Sequence, residues 1–257
     1  MKYSTLFASC LIMLYSCTRQ EKHKELQDYT YMVWSTITRP IGGGSYQRFT
    51  PAASAFFVRK NNKLFLISAG HTFNVEDSSL TLTEFFIKLY NKNEDIYEPY
   101  KIDVSPVSQI KPKTFPKNWA DVSLLPVEIP SKYEVNSIER FFYDSVIDYR
   151  KVSYVKTYNF SNPNKPYIRN LPKMDSGLLE KDINGLVVWN GGIIDTINYE
   201  VVSLNNQFGQ GGSGSPIFLF MKNGQIIFGG IGILKDTLSH SIIAIKPAVF
   251  RRILAGK

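Results

Sequence analysis

Cysteine is nearly absent: of 257 residues only Cys10 and Cys17 are cysteines. A domain built from the chain beyond them can hold neither a disulfide nor a thiolate metal site, so packing must hold it together. Histidine is almost as scarce, with His23, His71 and His240 alone, and the ligands for a metal cluster are missing. No later apolar run is long enough to cross a bilayer as a helix. The net charge of +8, with a pI near 9.3, comes mostly from scattered lysines. Without an arginine-rich or aromatic-interleaved stripe, no nucleic-acid partner is expected, and the basic surface reads as solvated. There is no repeat of fixed period and no low-complexity tract.

What is present begins with Lys2 and an apolar run over 6–15, too short to span a membrane and placed where a secretory signal sits. Leu14-Tyr15-Ser16-Cys17 resembles a bacterial lipobox, which implies a lipid anchor on Cys17 and a membrane partner at the cell envelope, on its periplasmic or cell-surface face. An ordinary secretory signal with incidental cysteines is the alternative. The expected organisation is a signal over 1–17, a polar tether over 18–30 and a folded domain over 31–257.

Within that domain, short apolar or alternating runs are separated by Asn, Gly, Pro and Ser. They cover 31–37, 55–58, 64–68, 85–89, 122–127, 152–158, 186–189, 199–204, 217–220, 226–234 and 241–245. Regular short strands with turn signals between them predict an all-β protein, two small β-barrels side by side. The first barrel is expected over about 31–130, a connector over about 131–150 and the second barrel over about 151–257. A short helix over 247–254 closes the chain.

One stretch carries chemistry: Gly209-Gln210-Gly211-Gly212-Ser213-Gly214-Ser215-Pro216, leading into the apolar Ile217-Phe218-Leu219-Phe220. Its glycines at 209, 211 and 214 fit the dinucleotide fingerprint, but that pattern must open a helix and here a strand follows. An α/β-hydrolase elbow fails at Ser215, where its last glycine belongs. A glycine-rich hairpin loop without chemistry is the plain alternative. The stretch resembles the Gly-x-Ser-Gly-Gly-Pro active-site loop of chymotrypsin-like serine peptidases, with Ser213 as nucleophile. Two further segments resemble the same family. Ser68-Ala69-Gly70-His71 ends a buried strand, and Asp121-Val122-Ser123-Leu124-Leu125 opens an alternating one. The order His71, Asp121, Ser213 is that of chymotrypsin, with separations of 50 and 92 residues.

The resemblance implies a chymotrypsin-like double β-barrel and a serine endopeptidase acting on protein or peptide substrates. His71 is then the base, Asp121 its orienting carboxylate, and the amides of Gly211 and Ser213 the oxyanion hole. No metal or organic cofactor is implied, because acyl transfer by a triad needs none. Gly212 stands where secreted digestive members carry an aspartate that pairs with a new amino terminus after cleavage, so activity without propeptide removal is expected. Gln207, six residues before the serine, takes the floor of the side-chain pocket, where no carboxylate selects Lys or Arg. Lys235 falls near the pocket entrance, where it would narrow the pocket or favour an acidic side chain. The alternative is a catalytically silent trypsin-like fold acting as a cell-surface binding or scaffolding module. Oligomeric state is not legible in the sequence.

Overall fold

The structure is a computed structural model that describes residues 25–50, 52–73, 81–103, 121–161, 172–179, 187–189, 192–194, 198–203, 208–235 and 241–255. It opens on a 3-10 turn, Leu26–Tyr29, whose Tyr29 is buried edge-on against Phe141 with ring centres 5.2 Å apart. The packed structure therefore begins before Tyr31, inside the stretch expected as a tether.

The first half contains β1 (Tyr31–Gly42), β2 (Ser45–Phe49), β3 (Ala52–Lys60), β4 (Lys63–Ala69), the one-turn helix α1 (Gly70–Phe73), β5 (Thr81–Asn91), β6 (Ile96–Ile102), β7 (Val122–Val127) and β8 (Tyr133–Glu134). They form an eight-stranded antiparallel sheet in the order β6-β5-β1-β3-β4-β7, with β2 beside β1 and β8 beside β5. Asn61 and Asn62 join β3 to β4 with φ of 49° and 60°, the left-handed pair that a two-residue hairpin requires. That turn fixes the register of β4, and β4 in turn pairs with β7 from Leu64↔Val127 to Ala69↔Val122. Both faces of these strands are buried: Leu66 and Leu125 enter the core of the first half, while Ile67, Ala69 and Val122 point the other way and pack with Phe56, Phe228 and Phe250.

The second half contains β9 (Val152–Asn159), β10 (Lys173–Leu179), the small hairpin β11 (Val187–Trp189) and β12 (Gly192–Ile194), β13 (Asn198–Ser203), β14 (Ser215–Met221), β15 (Ile226–Lys235), β16 (Ser241–Ile245) and the helix α2 (Pro247–Ala255). Six of these strands close a barrel in the order β10-β13-β16-β15-β14-β9, with β10 returning to β9. In the first sheet β6 and β7 are the two ends of the strand order and do not pair with each other among the described residues.

The halves meet on an aromatic seam. Phe56 of β3, Phe228 of β15 and Phe250 of α2 are buried together, with ring centres 5.3 to 5.9 Å apart, and Phe141 meets Phe218 at 5.1 Å. Such rings bury large apolar areas and add about 0.5–1.5 kcal/mol per pair through their geometry. The terminal helix thus packs the second half onto the first, and Lys60 of β3 donates to the carbonyl of Leu254.

Candidate active site

His71 stands one residue beyond the start of α1, where β4 runs out. Continuing the β4–β7 register by one pair sets Asp121 opposite Gly70, and the aspartate grips the next residue twice. Oδ1 accepts the His71 backbone N–H at 2.8 Å, and Oδ2 lies 2.6 Å from His71 Nδ1. Asp121 is 5% exposed, so its carboxylate depends on these donors. Because an ionised carboxylate only accepts, Nδ1 carries the hydrogen in the neutral ring and Nε2 keeps its lone pair. Gly70 makes this possible: a Cβ there would sit 2.7 Å from Asp121 Oδ1 and 3.2 Å from Val122 N.

Ser213 arrives from the other half. Its carbonyl accepts the backbone N–H of Ser54 on β3 at 2.9 Å. The next residue, Gly214, has φ +89° and lies so close to Ser54 O and Ser68 Oγ that any Cβ would collide with both, and would stand 2.9 Å from Ala69 N. The serine loop is therefore pressed against the end of the strand that leads to His71. The Ser213 hydroxyl donates its proton to the carbonyl of Ile233 on β15, at 2.9 Å.

The loop's main chain is largely spoken for. Gly212 N donates to Gly209 O at 2.8 Å, Gly214 N to Gly232 O at 2.7 Å and Ser215 N to Gly212 O at 3.1 Å. Gly211, at φ +91°, offers its carbonyl to Ser54 Oγ at 2.9 Å. Among the described residues, the amides of Gly211 and Ser213 donate to no protein group.

Several residues that shape this site carried no signal in the sequence. Phe208, 2% exposed, lays its ring on Gly212 and Gly232; a Cβ on Gly232 would lie 3.0 Å from it. Asp175 of β10, 1% exposed, accepts the Phe208 N–H at 2.8 Å. Ser54 and Ser161 bond the loop's backbone. Gln207 lies outside the described residues, as do Cys17 and the Lys235 side chain, although Lys235 ends β15. Two clefts of about 1430 and 830 Å³, lined in part by Arg59, Tyr133 and Arg140 and by Tyr31, Lys88 and Tyr97, include none of His71, Asp121 and Ser213. Cleft size and site chemistry disagree here, and the paired groups weigh more than volume.

No protein-family model matches the chain, and no curated protein sequence matches it either. Among solved structures it is similar to a thermostable serine protease from an extremophilic microorganism, with TM-score 0.50 and 15% identity over 86% of this chain and 91% of that one. The fold is the chymotrypsin-like double β-barrel. Similarity at TM-score 0.46 is also found to an inactivated protease paralogue of the scabies mite, 12% identical over 90% of this chain and 93% of that one. A protease of tobacco vein mottling virus, also at TM-score 0.46, is 13% identical over 84% of this chain and 76% of that one. In the double-barrel fold the site described above lies on the seam between the halves, with one partner residue pair on the first sheet and the serine loop on the barrel.

Proposed function

We propose that the chain is a serine endopeptidase that cleaves peptide bonds through an acyl-enzyme formed on Ser213. The observation that carries this reading is the two-point hold of Asp121 on His71, at the end of the strand against which the serine loop is pressed. Ser213 Oγ attacks the scissile carbonyl carbon as His71 Nε2 takes its proton. Turning the hydroxyl from the Ile233 carbonyl gives up one neutral hydrogen bond, worth about 1 kcal/mol net. The negative charge that develops on the carbonyl oxygen faces the N–H groups of Gly211 and Ser213, each contributing on the order of 3 kcal/mol. His71 then protonates the leaving amine, the C–N bond breaks, and the acyl group remains on Ser213. Water attacks the acyl carbon as His71 takes its proton, and the second tetrahedral intermediate collapses to the free acid as His71 returns that proton to the departing Ser213 Oγ. Asp121 stabilises the imidazolium in both halves of the cycle.

In the same reading, Gln207 floors the substrate pocket without a selecting carboxylate and Lys235 stands at its entrance. Profiling on a peptide library should show no dominant preference for Lys or Arg before the cut, and a clear basic preference would remove this assignment. A lipid on Cys17 would hold the enzyme at the bacterial envelope. Partition into a detergent phase that survives Cys17→Ala would contradict the anchor.

A silent binding module is the second reading, favoured by one observation: the Ser213 proton rests on Ile233 rather than on the base. A fluorophosphonate probe separates the two. The wild type should label, with the adduct mapped to Ser213, and both Ser213→Ala and His71→Ala should not. A well-folded wild type that resists the probe would leave the binding module standing.

A further inference from the structure

Two buried hydroxyls hold the serine loop, and the acyl-transfer chemistry uses neither. Ser54 is fully buried, and all its polar atoms are engaged. Its N–H reaches Ser213 O at 2.9 Å, and its carbonyl accepts from Ser68 Oγ at 2.7 Å. Its Oγ donates to Gly211 O at 2.9 Å and accepts the Phe160 N–H at 2.9 Å. Ser161, 3% exposed and just beyond β9, accepts the Gly209 N–H at 2.8 Å and donates to Asn159 Oδ1. The peptide between Gln210 and Gly211 is thus anchored on both flanks, by the Gly211 carbonyl and by Gly209, and its Gly211 N–H has no protein acceptor among the described residues. The space beside Gly212 is also taken: a Cβ there would lie 2.9 Å from Ser161 Oγ and 3.1 Å from the Phe208 ring.

We propose that Ser54 and Ser161 are positioning residues that hold the oxyanion site permanently formed, in place of an ionic latch at position 212 that closes only after proteolytic cleavage. The neutral network links the barrel loop to β3 of the first sheet and to the end of β9, so assembling the two halves sets the hole. No new amino terminus is needed. The inference rests on the acyl-transfer reading.

The test uses the full-length, uncleaved chain as wild type, Ser54→Ala, Ser161→Ala and Ser54→Thr. It reads kcat and KM on a peptide ester, inhibition by a peptide aldehyde and the melting temperature. The aldehyde carbon bonds to Ser213 Oγ and its oxygen takes the place of the oxyanion. Ser54→Ala should lower kcat about 100-fold and weaken the aldehyde by a similar factor with KM unchanged. Ser161→Ala should do the same more mildly, and Ser54→Thr should restore most of the loss because it keeps the hydroxyl. A folded Ser54→Ala with unchanged kcat and aldehyde affinity would overturn the proposal. If Ser54→Ala does not fold, Ser161→Ala decides by the same criterion. Wild type that becomes active only after trimming would overturn the inference alone, whereas wild type inert both before and after trimming would count against acyl transfer itself.

Discussion

The two sides of the site are built on different principles. On the first sheet, charge and side chains do the positioning: a buried carboxylate binds one histidine by ring and backbone, and strand register brings the pair together. The serine loop of the barrel is positioned by neutral bonds to its main chain, from the hydroxyls of Ser54 on β3 and Ser161 beyond β9, with Gly214 where it comes closest to the first half. A side-chain device can lose function while the fold survives. A main-chain device shares its contacts with the seam between the halves, so damage there reaches stability as well.

Asp121→Asn is the sharpest way to break the comparison. It should cost about 10⁴-fold in kcat/KM, because an amide does not hold the base in its working tautomer. The melting temperature should fall little, as the shape is kept. Gly214→Ala should act in the opposite sense, since the added carbon meets Ser54 and Ser68 across the seam. A loss of about 3–5 kcal/mol in unfolding free energy is expected. Gly224 is the control: it has φ +84° but open space around its Cβ position, so Gly224→Ala should cost only about 1–2 kcal/mol. Equal melting temperatures for these two variants would mean that backbone strain, not the close approach, limits position 214. Gly70→Ala tests the side-chain half more gently. Pushing Asp121 Oδ1 aside from 2.7 Å should misplace the imidazole and lower kcat by about 100-fold, with the far-ultraviolet spectrum unchanged.

The comparison also explains what was readable in the sequence. Strand runs bounded by turn residues stood out wherever one face is apolar, and β7 and β16 begin and end where the pattern does. β10 did not stand out, because its inward residues include Asp175 and Gly177 and leave no apolar alternation. β6 carries Pro99 and lies mostly exposed at an edge, where a missing backbone donor costs the sheet little. β2 is an exposed hairpin arm that, among the described residues, pairs with β1 alone. His71, Asp121 and Ser213 are legible in the sequence because the proposed chemistry resides in their side chains. Ser54 sits unremarked in Ala-Ala-Ser-Ala-Phe-Phe because what it bonds is backbone, and no letter marks where a carbonyl of another segment will be. Phe208 and Ser161 were hidden for the same reason.

The central claim is that Ser213 forms an acyl-enzyme, and stopped-flow hydrolysis of a chromogenic ester with intact-mass detection addresses it most directly. The account predicts a burst of about one equivalent of leaving group, a matching acyl mass on the peptide containing Ser213, and loss of both in Ser213→Ala. Folded wild-type protein that shows neither burst nor adduct, or a burst that persists in Ser213→Ala, would contradict it.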